Sequence, residues 1–373
     1  MRRGTTTHDL TPVGQDHRFP GGTCGADMRF APELGRLACD HCGAQAALDT
    51  QHAPEVRELD YQGALASAVS HPDMVETRVS ECPNCGARVE FNDTNHAKQC
   101  PYCATPVVAD TGAHRHIKPR GLLPFALAES QAHVAMSDWL GRLWLAPNGL
   151  QAYARKGRKM DGIYVPYWTF DADTATQYRG ERGDDYYVTH KINHNGKTKT
   201  IREGKTRWKP RSGHVARFFD DILVLASHAL PQKYTQGLEP WDLSEMQPYV
   251  PDYLAGFRAE AYSVTLDEGF AAARDHMNRV ILRDIRFDIG GDRQRVHDVQ
   301  TKVRDVTFKH VLLPVWIAAY KYRGKTYRFV VNGRTGRVRG ERPYSAWKVT
   351  FAAVGVALLA GAIGYLIAIN QPS

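Results

Sequence analysis

The stretch CPNCGARVEFNDTNHAKQCPYC, residues 82–103, holds two C-x-x-C pairs with 14 residues between them. Four thiolates complete the tetrahedral shell of a structural Zn²⁺ ion, and two such knuckles a short hairpin apart are typical of a zinc ribbon. Gly86 directly follows the first pair, where the tight knuckle backbone favours a residue that tolerates positive φ. The spacing predicts a zinc ribbon over residues 80–110 with a closed, structural metal site; an iron site with the same ligands is the alternative. The predicted ligands are Cys82, Cys85, Cys100 and Cys103.

An earlier stretch, FPGGTCGADMRFAPELGRLACDHCG (residues 19–43), repeats this pattern with one ligand missing. Its three cysteines precede their counterparts by 61 residues, and the same offset places Gly21 opposite Cys82. Because three thiolates still hold Zn²⁺ when His, Asp or water supplies the fourth donor, a degenerate zinc ribbon is predicted over residues 19–45. His17 and a water molecule are the candidates for that donor; a metal-free ribbon held by its own small core is the alternative. The predicted ligands are Cys24, Cys39, Cys42 and His17.

The seven cysteines all lie in the first third of this 373-residue chain, and none remains for a disulfide elsewhere. Residues 1–18 are polar and lack the apolar stretch of a signal peptide, so they are predicted to be disordered and the chain is expected in a reducing compartment. The net charge of +8 is compatible with contact to nucleic acid or to an anionic membrane surface, and does not choose between them.

The C-terminal stretch VTFAAVGVALLAGAIGYLIAI, residues 349–369, carries no charge. As a helix it would be about 31 Å long, close to the thickness of the hydrocarbon layer. Trp347 and Lys348 precede it as interfacial anchors. Basic residues precede the span and none follows, so the positive-inside rule predicts a single-pass transmembrane helix with the body in the cytoplasm; a buried core helix is the alternative. The basic residues are Arg334, Arg337, Arg339, Arg342 and Lys348.

Residues 117–345 contain no cysteine and are rich in Trp, Tyr and Phe, which predicts a packed α+β body. Residues 46–79 are predicted to be a spacer between the ribbons, with a short strand or helix. In the body, periodicity predicts helices at 127–144 and 266–287, a strand–turn–strand unit at 162–180, a strand at 214–227, and an antiparallel β-meander at 309–340 with turns at Arg323–Gly324 and Asn332–Gly333.

Two of the strand stretches, YVPYWTFDA (164–172) and LLPVWIAAY (312–320), place a proline two residues before a tryptophan. The echo predicts a duplicated α+β unit. Because proline cannot donate a ladder hydrogen bond, a proline within each strand also predicts an edge position or a bulge there.

Motifs for catalysis are missing from the sequence. Three G-K-T triplets lack the glycine five residues upstream that a phosphate-binding loop needs, and neither G-x-S-x-G nor H-E-x-x-H occurs. Two histidines lie in a predicted hairpin. Two pairs of acids are adjacent in sequence, so the members of each pair point to opposite faces of a strand and no catalytic dyad is expected. A non-enzymatic protein is therefore predicted. These histidines and acids are His190, His194, Asp184, Asp185, Asp220 and Asp221.

Taken together, the motifs resemble a bacterial family of membrane-anchored zinc-ribbon proteins, often labelled "primosomal protein N-prime (replication factor Y), superfamily II helicase" or "TFIIB-type zinc ribbon". The resemblance covers most of the chain from about residue 19. It rests on the paired ribbons at 24–42 and 82–103, HIKPRGLLPFAL (116–127), GIYVPYWTFDA (162–172) and YRFVVNGRTGRVRGERPYS (327–345).

This resemblance implies a scaffold at the bacterial inner membrane, with SPFH-type or phage-shock-protein-A-like partners in membrane stress. A helicase activity is not expected, because the chain has no phosphate-binding loop and no room for two motor domains. The predicted function is a non-enzymatic adaptor. The alternative is a nucleic-acid-binding accessory factor, which the ribbons and the basic, aromatic stretch Lys321–Lys348 would also fit; membrane topology and lipid headgroups account for the same stretch.

Overall fold

The computed structural model describes residues 19–50, 53, 55–66, 74–90, 97–103, 105–108, 113–143, 145–146, 160–194, 197–322, 325–341 and 344–369. It is a mixed α+β structure with one large, mainly antiparallel sheet and a C-terminal apolar helix, as the sequence predicts at this level. The segment 1–18, predicted to be disordered, and the candidate ligand His17 lie outside the described residues.

The strands are short in the N-terminal third and very long in the body. They are β1 (Arg29–Ala31), β2 (Arg36–Ala38), β3 (Gln45–Ala46), β4 (Leu59–Asp60), β5 (Met74–Glu81), β6 (Arg88–Glu90), β7 (Ala97–Gln99), β8 (Pro106–Val108), β9 (Ala113–Ile117), β10 (Gly121–Leu122), β11 (Asp161–His194), β12 (Lys197–Leu225), β13 (Gln247–Pro248), β14 (Arg258–Ala259), β15 (Arg293–Tyr322), β16 (Lys325–Asn332) and β17 (Val338–Gly340). The helices are α1 (Tyr61–Ala66), α2 (Glu129–Gly141), α3 (Gln232–Gln236), α4 (Leu266–Ile289) and α5 (Ala346–Ile369), with 3₁₀ turns at Leu243–Glu245 and Pro251–Leu254.

Three long strands form the centre of the main sheet, in the order β12-β11-β15. The prediction of a strand–turn–strand unit at 162–180 is wrong, because β11 runs unbroken through it. The polar residues that suggest a turn form a bulge instead: the register of β11 shifts between Phe170 and Ala172 against β12, and between Asp171 and Asp173 against β15. The bulge lets the Asp171 carboxylate accept the backbone N–H of Asp221 at 2.7 Å.

The two prolines of the repeated stretches lie on neighbouring strands, β11 and β15, at equivalent gaps in the sheet. Pro166 falls between the residues of β11 that pair with β14 and those that pair with β12. Pro314 falls between the residues of β15 that pair with β10 and those that pair with β16. Each proline is therefore locally at an edge on one side, where no ladder partner needs its missing N–H.

The long helix α4 forms where the sequence predicts it. Thr265 caps its N-terminus in a capping box with Glu268, and Gly290 at φ 66° follows its last residue. A buried stripe at helical spacing packs against β11, β12 and β15 in one hydrophobic cluster. The stripe comprises Ala273, Met277, Ile281, Ile285 and Ile289.

Both cysteine-containing segments share their hydrophobic cores with the body. Phe30 and Leu37 of the first segment belong to one buried cluster with Phe125 of the body. Cys82 and Tyr102 of the second belong to another, with residues of β11 and β15. The division of the chain into ribbons, spacer and body stays a prediction, but the described residues pack as continuous cores across its boundaries.

Helix α5 is long and apolar enough to cross a membrane. Its stretch Trp347–Tyr365 spans 19 residues, and none of it is buried against the described part of the protein. The helix starts close to the body, since Ser345 donates its backbone N–H to the Leu145 carbonyl at 2.9 Å and Lys348 Nζ donates to the Ala146 carbonyl at 2.8 Å.

Candidate metal centres

The four later cysteines form a compact sulfur cluster. Their Sγ atoms all lie within 4.8 Å of one another, with Cys82 to Cys103 at 3.5 Å and Cys85 to Cys100 at 3.6 Å. A disulfide would need about 2.05 Å, whereas tetrahedral Zn–S bonds of about 2.3 Å place neighbouring sulfurs about 3.8 Å apart. The cluster therefore fits a tetrahedral metal ion, whose identity its geometry does not show.

The surroundings of Cys100 favour its thiolate form. Cys82 accepts the N–H of Gly86 on its carbonyl at 2.9 Å, and Gly86 takes φ 71°, as the knuckle requires. A hydrogen bond from the Cys85 thiol, followed by the N–H groups of Tyr102 and Cys103, lowers the pKa of Cys100 to about 5 against the effect of burial. The thiolate is the form that binds metal.

A buried carboxyl group ties this cluster to the body. Tyr102 donates its hydroxyl to Glu260 Oε2 at 2.5 Å, and Ser227 donates to Oε1 at 2.6 Å. Ala261 also donates its N–H to the carbonyl of Arg88 in β6 at 3.0 Å. The cysteine-containing segment is therefore held to the body by a backbone hydrogen bond as well as by side chains. Glu260 is only 2% exposed, and desolvation raises its pKa to about 7 although both hydroxyl donors act to lower it.

We expect Glu260→Gln to change how stability depends on pH. The folded-state pKa of about 7 lies above the ordinary value of 4.5, so the stability that this group contributes is complete below about pH 4.5 and is lost as the pH rises through about 7. An amide does not titrate. The difference in Tm, variant minus wild type, should therefore increase between about pH 5 and about pH 8 in thermal unfolding at fixed Zn²⁺. The exposed Glu33→Gln is the control; parallel curves for Glu260→Gln and wild type would contradict the assignment.

The three earlier cysteines form a second, more exposed cluster. Their Sγ atoms lie within 4.8 Å of one another, with Cys24 to Cys39 at 3.6 Å. Cys24 and Cys42 are exposed and Cys39 is buried. No His, Asp or Glu in the described part of the chain joins the three thiols, and His41 is exposed, as expected for a residue inside a knuckle.

The backbone hydrogen bonds of the two clusters repeat at the 61-residue offset. Gly21 donates to the Ala26 carbonyl at 2.9 Å, as Cys82 does to Ala87 at 2.8 Å. Cys39 donates to the Ala44 carbonyl at 2.9 Å, as Cys100 does to Thr105 at 2.8 Å. Gly21 therefore occupies the backbone position of a ligand whose thiolate it lacks.

An ionic cluster around a buried lysine of the sheet is a feature that the sequence did not indicate. Lys309, 7% exposed, lies 2.9 Å from Glu58 and 2.8 Å from Asp221. Desolvation raises the pKa of Asp171 to about 7. At Glu58 desolvation acts in the same direction, but hydrogen bonds from Asp171, Thr307 and Lys309 outweigh it and lower the pKa to about 2. Only Asp221 comes from the predicted acid pairs, so no local pattern identifies this cluster.

Three of the remaining predicted polar residues have partners of opposite charge type near the surface, and Asp220 is exposed. Asp184 pairs with Arg182 at 2.8 Å, and Asp185 pairs with Arg293 at 3.1 Å. His190 lies 3.1 Å from Glu203 across the hairpin. The side chain of His194 lies outside the described residues.

Comparison with known proteins finds one relative of nearly the same length. No family model matches the chain, and no solved structure matches it. A protein of Bacillus subtilis (strain 168) described as "Uncharacterized protein YdjG" is 27% identical over 343 residues, which is 90% of this chain and 92% of that protein. The similarity therefore extends well beyond the cysteine-containing third.

Proposed function

We propose that this chain is a non-enzymatic adaptor that recruits protein partners to the bacterial inner membrane. The observation that carries the proposal is the arrangement of helix α5, whose first turn is hydrogen-bonded to the body and whose 19-residue apolar stretch has no buried residue. Both cysteine clusters lie in segments whose cores continue into that same sheet. A partner bound to the ribbons would thus be held close to the membrane.

The metal that we propose for both clusters is Zn²⁺. Tetrahedral sulfur sites select zinc or iron–sulfur chemistry, and free thiols in C-x-x-C pairs fit a reducing cytoplasm. At the later cluster the role is structural, because four cysteines leave no open position for a substrate. A bound Zn²⁺ ion would cross-link the two knuckles of a cluster.

The orientation and the partners are part of the proposal. The basic residues before α5 support a cytoplasmic body by the positive-inside rule. The resemblance to membrane-anchored zinc-ribbon proteins supports SPFH-type or phage-shock-protein-A-like partners. Affinity purification from native membranes in mild detergent tests the proposal: a reproducible protein partner is expected, and recovery of nucleic acid without a protein partner would overturn it.

Removal of the anchor gives a direct prediction. A protein truncated after Ser345 should move from the membrane fraction to the soluble fraction, because it lacks the exposed apolar stretch. Its metal content should stay at the full-length value, since all seven cysteines precede the cut. Fractionation with the full-length protein as control makes the measurement; a truncated protein that still sediments with membranes would show that another surface binds them.

A nucleic-acid-binding accessory factor is the second candidate, favoured by one surface. β12 lies at the edge of the sheet, and alternate residues on one of its faces are basic and exposed. Within the described residues, Arg207 and Arg211 have no carboxylate partner, whereas Lys205 and Lys209 do. The row comprises Lys205, Arg207, Lys209 and Arg211.

The protein truncated after Ser345 tests this candidate with single- and double-stranded DNA in fluorescence anisotropy. Backbone binding should weaken steeply with salt and should drop in Arg207→Ala/Arg211→Ala. The matched control is Arg279→Ala/Arg283→Ala on the exposed face of α4. Absence of binding at low salt would eliminate the candidate.

A further inference from the structure

The missing ligand position of the first cluster faces a methionine. Gly21 is buried, and a Cβ built on it would lie 3.5 Å from Met28 Cγ, 3.9 Å from Met28 Sδ and 3.4 Å from the Ala26 carbonyl. Those are ordinary contact distances. The thioether therefore lies beside the space that the sulfur of a Gly21→Cys variant would enter.

The comparison between the two ribbons shows why this methionine is informative. At the 61-residue offset, Met28 corresponds to Val89, which packs in the core beside Cys82. The ribbon with four cysteines thus has an aliphatic residue without a donor atom at this position. The ribbon with three cysteines has a sulfur atom there.

The setting of Met28 suits a ligand. Met28 is 8% exposed, and its backbone N–H donates to the Phe19 carbonyl at 2.8 Å. Methionine is unbranched and its polarizable thioether adapts to irregular space. Thioether and thiolate are both soft donors, which suit Zn²⁺ and Cu⁺.

We propose that the Met28 thioether supplies the fourth donor of the first cluster, giving a site of three thiolates and one thioether. The inference rests on the proposed metal-binding role of the ribbons and adds the identity of the missing ligand. A thioether is neutral, so the ligands of the first site would together carry one negative charge less than the four thiolates of the second site. The first site should therefore bind Zn²⁺ more weakly than the second and accept soft ions more readily.

Metal affinity measured site by site tests the proposal. Full-length protein in detergent is titrated with Zn²⁺ against a chromophoric chelator and with Co²⁺ by absorption. Met28→Leu should weaken the first site at least about tenfold and leave the second unchanged, while Gly21→Cys should tighten the first site. In the Gly21→Cys background, Met28→Leu should have no effect, because the new thiolate replaces the thioether.

Three controls make the outcome decisive. Met277→Leu, on the buried face of α4, reports the effect of the same change away from the cluster; an equal loss of affinity in both variants, or no loss in Met28→Leu, would overturn the proposal. A loss confined to His17→Ala would assign the ligand to His17 instead and also overturn it. If wild-type protein binds no metal, the proposed metal-binding role of the ribbons fails; two bound metals with an unaffected Met28→Leu reject the thioether alone.

Discussion

Cys100→Ser is expected to release one metal ion per chain and to lower the free energy of unfolding by about 5 kcal/mol or more. Structural Zn²⁺ contributes about 10–16 kcal/mol to small zinc domains, and most of this stabilisation disappears with a ligand. Cys100 is 3% exposed and lies in the same core as Leu123, Val311 and Leu313, so damage at the metal site should reach the body. Metal analysis and urea unfolding make the measurement.

The matched variant for Cys100→Ser is Cys42→Ser in the exposed cluster. It should also release one metal ion, but with a smaller decrease in stability, because Cys42 is exposed and the four-cysteine cluster in the core stays intact. Retention of both metals by Cys100→Ser, or equal destabilisation by the two variants, would contradict the view that the later cluster is the one built into the core.

Lys309→Met should destabilise the protein by about 3 kcal/mol, since removal of the buried ammonium group leaves the buried Asp171 and the partly exposed Glu58 and Asp221 without their cation. Methionine keeps the length and the apolar stem of the side chain. It cannot replace the ammonium group that lies 2.9 Å from Glu58 and 2.8 Å from Asp221, beside the buried Asp171. Urea unfolding at neutral pH measures the change.

An exposed ion pair of the same sheet provides the control for Lys309→Met. Arg179 and Asp298 lie 3.4 Å apart with side chains 76% and 43% exposed, so Arg179→Met should destabilise the protein by less than about 1 kcal/mol. If Lys309→Met were no more destabilising than Arg179→Met, the ionic cluster would not stabilise the protein more than an exposed ion pair does, and the prediction would be wrong.

Local sequence signals predicted the parts of this molecule that local chemistry determines. Cysteine spacing located both clusters, helical periodicity located α4, and an uncharged stretch marked α5. The prediction of a turn near Asp171 of β11 is wrong, because polar residues within a strand resemble a turn sequence. Their hydrogen-bonding partners lie on strands that are distant in sequence.

The buried polar contacts could not be predicted, because they join residues from remote parts of the chain. Tyr102 meets Glu260 across 158 positions, and Glu58 meets Lys309 across 251. Neither pair has a spacing that any motif encodes. The role proposed for Met28 needed both the offset between the ribbons, visible in the sequence, and the contact with Gly21, visible only in the fold.

The measurement that tests the central claim most directly is the metal content of purified full-length protein, determined by elemental analysis beside protein quantitation. Two repeated ribbons predict close to two zinc ions per chain, falling to close to one in Cys24→Ser and in Cys82→Ser alike. Wild-type protein that contains no metal, with its seven cysteines free, would contradict the account.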